Sequence, residues 1–258
     1  MAKFAKCLAT CGVLTLAACG GHGTAPVAPF PSPAASAASA PGGGPAAAVA
    51  LKVCTGGVAA ASDGLVDDFE DGNGQGAPQA GRGGYWYTAA DPKGSAISPS
   101  GEFTPGEGGA AGSKKSAHVS GKTAAGDGAW GAGFGLSLLP DNQIYDASKY
   151  AGVSFWAKAG DKSTTSVRFK VADVNTRPEG KVCKEPGGCW NHFGTDLTLS
   201  KEWKEHSIKF TDLKQQEGWG DPRPPALTAN QAMSLDWSVS GGQEFDVWVD
   251  EVKFIDCK

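Results

Sequence analysis

The feature that most constrains the fold is a repeated alternation of apolar and polar residues, with turn-forming residues between the segments. The segment 153–157 places Val153 and Phe155 on one face, and the segments 167–171 and 206–210 repeat the pattern. Residues two apart share a face of a strand, so each segment has one core face and one outer face. Amphipathic helical periodicity is missing. The pattern predicts an all-β sandwich of about ten strands in two antiparallel sheets.

The two ends of this strand-rich region carry a second pattern. One apolar and acidic alternation runs through Asp67–Asn73, and another runs through Phe245–Phe254. We expect the strand that opens the sandwich to pair with the strand that closes it. The apolar parity switches within the second segment, so a β-bulge at Asp250-Glu251 is needed to keep both halves of that strand in the core.

The seven cysteines fall into two groups. Cys7 and Cys11 lie in a predicted export signal, and Cys19 follows it. The other four form an even set, which in an exported protein indicates disulfides with three possible pairings. The pairing that we predict ties the two ends of the domain and closes one short loop: Cys54–Cys257 and Cys183–Cys189. A zinc site formed by the second pair and His192 is the alternative, but it lacks a fourth ligand and standard spacing.

The N-terminal segment predicts export and anchoring. Two lysines and an apolar run too short to span a bilayer precede Leu16–Cys19, which has the form of a bacterial lipobox. We expect a lipoprotein signal peptide over residues 1–18, lipidation of Cys19, and a membrane tether rich in alanine, proline and glycine over residues 19–51. By resemblance to lipoprotein sorting in Gram-negative bacteria, Gly20 favours the outer membrane or the cell surface.

The remaining residues, 52–258, suit one domain with a core of its own. The whole chain carries 23 Lys and Arg against 27 Asp and Glu, without a basic stripe, which argues against nucleic acid as a partner. No serine-hydrolase, zinc-protease, phosphate-loop or dinucleotide signature is present. A glycosidase needs two facing carboxylates, and no pattern pairs any here. A non-catalytic binding protein is therefore the first hypothesis, with a structural or adhesive surface protein and a glycan-active hydrolase as alternatives.

The acidic ends, their flanking cysteines and the strand pattern resemble the jelly-roll carbohydrate-binding modules of the galactose-binding-like superfamily, family eleven and its relatives in particular. The resemblance covers about Leu65 to Cys257. It implies a jelly-roll fold, an oligo- or polysaccharide ligand, and a structural Ca²⁺ that joins the first turn to the last strand. Glu70 and Asp250 occupy the matching positions, and their carboxylates are ligands that Ca²⁺ prefers. The alternative is a solvated acidic turn without metal.

Sugar recognition calls for exposed aromatic rings and nearby polar groups. Trp156 lies opposite the apolar face of its strand, and we expect Arg168 beside it on a neighbouring strand. The run Tyr85–Tyr87 places rings on both faces of a strand. The long irregular stretch Asp173–Phe193 is dense in polar and aromatic residues and is the type of loop that usually carries function, an inert connection being the alternative. The candidate sugar-binding residues are Trp86, Trp156, Arg168, Asp173, Thr176, His192 and Trp219.

Overall fold

A computed structural model describes residues 49–258 of the chain. The predicted signal peptide, Cys19 and nearly all of the predicted tether lie outside these described residues. Within them the chain forms twelve β-strands and four short 3₁₀ helices. None of the helices in this part of the chain has the length and apolar character needed to cross a membrane.

The strands form two antiparallel sheets. In chain order they are β1 (Val58–Asp67), β2 (Trp86–Ala90), β3 (Ala96–Ser98), β4 (Gly106–Glu107), β5 (Lys115–Lys122), β6 (Ala132–Ser137), β7 (Gly152–Ala159), β8 (Ser166–Asp173), β9 (Phe193–Thr198), β10 (Lys204–Lys209), β11 (Ala232–Val239) and β12 (Glu244–Cys257). The larger sheet has the order β10-β7-β12-β5-β3, with β1 paired to β12 and β4 paired to β5. The smaller sheet has the order β2-β6-β11-β8-β9.

This architecture confirms the predicted all-β sandwich of two antiparallel sheets. The strand count is higher than the predicted ten, mainly because β3 and β4 span only three and two residues and so show no readable alternation. The predicted core faces are right. Phe155 of β7 and Phe169 of β8 face each other across the sandwich with ring centroids 5.1 Å apart, and both side chains are fully buried.

Trp86 belongs to this core, and its predicted role in sugar binding is wrong. Its side chain is only 4% exposed, and its ring lies 5.8 Å from that of Trp237. Its indole Nε1 donates a hydrogen bond of 2.6 Å to Asp67 Oδ2, which satisfies the buried N–H group. A sugar cannot reach a ring that is sealed between the two sheets.

The two ends of the domain pair as predicted, although through different residues. β1 runs antiparallel to β12, with Val58 opposite Cys257 and Asp67 opposite Val252. The acidic segment that follows β1 forms a turn rather than a strand. The disulfide Cys54–Cys257, with Cα atoms 5.2 Å apart, closes the two ends as predicted.

The predicted β-bulge in the last strand is also confirmed. The register of β12 against β7 shifts between Asp250 and Lys253, and Glu251 adopts a positive φ of 51°. The bulge keeps Val249 and Val252 both fully buried on the core side. It also leaves Asp250 completely buried, with its carboxylate directed at the loop that precedes β5.

Candidate functional site

The outer face of the smaller sheet carries a groove of about 640 Å³. Its floor follows the cross-strand register, in which residues directly opposite one another point to the same side of the sheet. One row consists of Tyr87, Gly135, Asp236, Lys170 and Gly194, and the next row consists of Ala89, Gly133, Ser238, Arg168 and Asp196. Each row therefore crosses all five strands and mixes small residues with charged ones.

Glycines keep the floor of the groove low. A Cβ atom at Gly135 would lie 2.7 Å from Asp236 Oδ1 and 3.0 Å from the Tyr87 hydroxyl. A Cβ atom at Gly194 would lie 2.9 Å from Lys170 Cγ. The distances of 2.7 and 2.9 Å are shorter than real Cβ contacts, so a side chain at either position would push a charged residue of the row out of place.

Three exposed tryptophans line the groove. Trp130, Trp190 and Trp219 expose 53%, 46% and 41% of their surface. Exposed indole rings are uncommon on a folded domain, and three around one concavity mark a binding surface. Trp219 was predicted from the sequence. Trp190 lies in the loop that was predicted to carry function, whereas Trp130 lies in a glycine-rich turn where no alternation indicates which way its ring points.

Asp236 is the acidic group at the centre of the floor. Its carboxylate accepts a hydrogen bond from the Tyr87 hydroxyl. Burial alone would raise the pKa of Asp236, but the nearby charges of Lys170 and Arg177 and the hydrogen bond from Tyr87 outweigh burial and hold its pKa below the ordinary value. Asp236 therefore presents an ionised acceptor to the groove at neutral pH.

Arg177 forms one wall of the groove. Its guanidinium donates from Nη2 to Asn142 Oδ1 at 2.9 Å and forms an ion pair from Nε to Glu179 Oε2 at 3.3 Å. It lies 5.3 Å from the ring centroid of Trp190 and 5.9 Å from that of Tyr87, which is within the range of a cation–π contact. Arg177 thus contacts both rings.

A buried polar network supports this wall from behind. Asp173 accepts hydrogen bonds from the backbone N–H groups of Thr228 (2.9 Å) and Asn175 (3.0 Å), and His192 Nδ1 lies 2.8 Å from Thr176 Oγ1. Burial lowers the pKa of His192 to about 3, so its ring is neutral. The predicted direct sugar contacts of Asp173 and Thr176 are wrong, because both side chains are buried beneath the loop. His192 reaches the groove with one edge only and is 4% exposed.

The loop that carries Trp190 is closed by the second predicted disulfide. Cys183 and Cys189 are bonded, with Cα atoms 5.1 Å apart, so the pairing is confirmed and the zinc alternative fails for lack of free thiolates. Trp190 follows directly, with φ at 75°, and its backbone N–H donates to the Thr176 carbonyl at 2.7 Å.

Arg168 lies in the groove as predicted, but Trp156 does not. Arg168 donates from Nη1 to Asp196 Oδ1 at 3.1 Å and from Nη2 to the Lys214 carbonyl at 2.7 Å. Trp156 lies on the outer face of the larger sheet, opposite Glu205 of β10. The prediction that Trp156 and Arg168 share one surface is therefore wrong, because the strands that carry them belong to different sheets.

The outer face of the larger sheet carries aromatic residues that stack on one another. His118 stacks on Trp248 with ring centroids 3.6 Å apart. The Lys158 ammonium lies 4.8 Å from the Trp248 ring centroid and 5.1 Å from the Trp203 ring centroid. These groups cover part of one another's flat faces, and their contacts stabilise the sheet.

Glu70 and Asp250, the predicted calcium ligands, both form hydrogen bonds to residues 110–115. Glu70 Oε1 accepts hydrogen bonds from Ser113 Oγ (2.9 Å) and from the two following backbone N–H groups (2.7 and 2.9 Å). Asp250 Oδ2 accepts from the Ala110 N–H at 2.7 Å, and burial raises the pKa of Asp250 to about 6. Among residues 49–258 no three His, Cys, Asp or Glu side chains cluster to hold a metal ion, so backbone oxygens would have to complete the coordination.

The family model described as carbohydrate binding domain 30 matches residues 83–256, which is more than half of the chain. The chain belongs to this family. The matched range contains the groove and all five strands of the smaller sheet, so the domain is a carbohydrate-binding module, as the sequence predicted, although the matching family is thirty rather than eleven. A search of curated proteins finds no match to the chain.

Several solved carbohydrate-binding modules are similar to this module. A family 30 module of a cellulosomal cellulase from Clostridium thermocellum is 12% identical over 76% of this chain and 97% of that one, with a TM-score of 0.49. A family 11 module from Clostridium thermocellum, solved with a β-1,3-1,4-mixed-linked tetrasaccharide, is 20% identical over 67% and 89%, with a TM-score of 0.45. A xylan-binding domain from Paenibacillus barcinonensis is 15% identical over 78% and 99%, with a TM-score of 0.44.

Proposed function

We propose that this module binds an oligo- or polysaccharide in the groove of the smaller sheet, without catalysing its cleavage. The observation that carries the proposal is the set of three exposed tryptophans around a polar floor. Indole rings pack against the C–H faces of sugars, and the charged floor bonds their hydroxyl groups. A tethered module of this kind would hold its cell or its partner proteins against a glycan.

The polar floor gives the groove its selectivity. Asp236 accepts and Lys170 and Arg168 donate, so a sugar with hydroxyl groups in the right places pairs with them. A sugar without these groups would leave buried charges unpaired, which costs more than the pairing gains. The absolute affinity should be modest, because a groove on a sheet face leaves part of the ligand in solvent.

The proposal is tested by alanine substitution of the exposed rings. We expect Trp190→Ala and Trp219→Ala each to weaken binding by roughly tenfold or more, as the loss of a central aromatic contact usually does. Binding is measured by affinity electrophoresis and calorimetry on mixed-linked β-glucan, xylan and soluble cellulose derivatives. The first two polymers are chosen because the similar modules include one solved with a mixed-linked tetrasaccharide and one described as xylan-binding.

The matched control is Trp203→Ala, because Trp203 lies on the outer face of the larger sheet, away from the groove. Its binding should equal that of the wild type. Equal loss in all three variants would place the site elsewhere. Retention of the wild type on none of the glycans would favour the alternative, a surface protein without a sugar ligand.

We propose further that Cys19 is lipidated and that the module is held at the outer membrane or cell surface. The lipobox Leu16–Cys19 and the segment rich in alanine, proline and glycine after it support this proposal. Two or more acyl chains are needed for stable anchoring, and bacterial lipoprotein processing supplies them.

We also propose that a structural Ca²⁺ lies between Glu70 and Asp250. The support comes from the burial and the charge of the Asp250 carboxylate. Asp250 is a fully buried carboxylate without a basic partner in the described residues, and its raised pKa reflects that burial. A hard cation shared with Glu70 and with the carbonyls of the 109–115 loop would compensate the buried charge.

A further inference from the structure

Lys170 lies at the centre of the groove floor with its ammonium group unpaired. It stands directly opposite Asp236 on β11 and Gly194 on β9, and Gly194 has no side chain to cover it. Within the described residues its Nζ takes part in no hydrogen bond and no ion pair within 4 Å, and only longer-range charges act on it. An ammonium group has three donors and no acceptor, so those donors need a partner from outside the protein.

The other two basic groups of the groove are already engaged. Arg168 is paired with Asp196, and Arg177 is paired with Asn142 and Glu179. Burial lowers the pKa of Lys170, which is the cost of keeping this cation partly out of water without a partner. Arg168 and Arg177 keep some N–H groups free, but Lys170 is the basic group of the floor whose donors make no hydrogen bond to a described residue, so all three are left for a ligand.

Asp236 retains acceptor capacity beside it. Its Oδ1 accepts from the Tyr87 hydroxyl, and its Oδ2 accepts from Ser234 Oγ at 2.8 Å. An ionised carboxylate offers about four lone-pair sites, so both oxygens can accept again. The two neighbouring hydroxyls also fix the plane of the carboxylate, so its free lone pairs have a set direction.

We propose that Lys170 and Asp236 act together as a donor and an acceptor that recognise two neighbouring free hydroxyl groups on one unit of a neutral glycan. The inference rests on the proposed function and specifies its ligand class. Opposite residues of an antiparallel pair have Cβ atoms about 4.5–5.5 Å apart, so groups at their ends can reach adjacent positions of one ring. One hydroxyl accepts from the ammonium, and the other donates to the carboxylate.

The pairing disfavours two other kinds of glycan. A carboxylated sugar would be attracted by the Lys170 ammonium, but its charge would also be repelled by the Asp236 carboxylate directly opposite, and an ionised carboxylate has no proton to donate to Asp236. A sugar substituted at either hydroxyl would lose the donor that Asp236 needs or would add bulk above the floor. The groove should therefore select unsubstituted, uncharged chains.

The test measures the affinity of wild type, Lys170→Met and Asp236→Asn for mixed-linked β-glucan and for xylan, each before and after carboxymethylation. Methionine keeps the apolar stem of lysine and removes its donors. We expect Lys170→Met to weaken binding of the neutral polymer by roughly tenfold to a hundredfold, the usual effect of removing a hydrogen bond to a charged group. We expect carboxymethylation to weaken wild-type binding.

Lys122→Met is the matched control, because Lys122 is exposed at the end of β5 in the larger sheet. Urea unfolding of each variant confirms that the fold is kept. Equal affinity of Lys170→Met and Lys122→Met would overturn the inference and leave the proposed function intact, as would tighter binding of the carboxymethylated polymer. Failure of the wild type to bind either neutral polymer would contradict the proposed function itself.

Discussion

At the scale of single residues, His192 makes the stability of the module depend on pH. Burial lowers its pKa to about 3 in the folded state, whereas an exposed histidine in the unfolded chain has a pKa near its ordinary value of about 6.5. Between these values the unfolded chain binds the additional proton. The free energy of unfolding should therefore fall as pH drops below about 6.5, by at most about 1.4 kcal/mol per pH unit. His192→Asn should lose this dependence in urea unfolding followed across the same range.

Asp67 provides a control, because its effect on the pH dependence of the free energy of unfolding has the opposite sign. Burial raises its pKa to about 7 in the folded state, so the folded state binds the additional proton between about pH 4 and 7. The contribution of Asp67 to the free energy of unfolding therefore falls as pH rises through this window. As pH rises, the stability of the wild type should fall relative to that of Asp67→Asn. Over the same range it should rise relative to that of His192→Asn. Parallel pH profiles for the wild type and both variants would show that neither group titrates differently in the two states.

Single residues were also the hardest to assign from the sequence. The loop Asp173–Phe193 was recognised because it concentrates polar and aromatic residues, and the structure places it on the wall of the groove. Its polar members Asp173 and Thr176 point inward, because a loop that folds over a sheet must satisfy its own backbone groups. Its exposed ring belongs to Trp190, and no local pattern separates a supporting side chain from a presented one.

At the scale of elements, alternation identified most strands and their core faces but not their sheet. β7 and β8 follow one another in the chain and have the same pattern, yet they lie in different sheets and pack through Phe155 and Phe169. Sequential strands are neighbours in a sheet in only about two-thirds of cases. Trp156 was assigned to the binding surface on that assumption, and the crossover between sheets moved it to the opposite side.

The bulge in β12 was predicted from the sequence, and it positions Asp250, one of the two calcium ligands that the family resemblance implies. Addition of Ca²⁺ should raise the melting temperature, since a ligand at a hundredfold excess over its dissociation constant stabilises the folded state by about 2.7 kcal/mol. Asp250→Asn and Glu70→Gln should remove the effect. The effect should also weaken below about pH 6, where protons compete for the Asp250 carboxylate.

Glu107→Gln is the control for this experiment, because Glu107 is an exposed carboxylate near the same loop that pairs with Lys115. It should respond to Ca²⁺ and to chelator as the wild type does. A melting temperature that chelator leaves unchanged at neutral pH would contradict the calcium site. A response retained in Asp250→Asn would place the ion elsewhere.

At the scale of the whole molecule, the proposed lipid anchor and tether would hold the module at a surface. The 33 residues from 19 to 51 would reach roughly 100 Å if extended. In the sequence the proposed tether ends just before Cys54, the residue that a disulfide joins to the last strand of the module. Anchoring would then raise the local concentration of many modules at one surface, which can turn a modest affinity into strong retention of a long glycan.

Membrane attachment is tested by substitution of the predicted lipidation site in the full chain. Cys19→Ser should release the protein from the membrane fraction and abolish metabolic labelling with a fatty acid, since a protein without acyl chains has no stable anchor. Cys11→Ser is the matched control, because it changes a cysteine within the predicted signal peptide and should leave both labelling and fractionation unchanged. Membrane retention of Cys19→Ser without fatty-acid label would locate the anchor elsewhere. If the released protein still binds glycan in solution but no longer fixes cells to an insoluble one, anchoring and recognition are separate functions of the two parts of the chain.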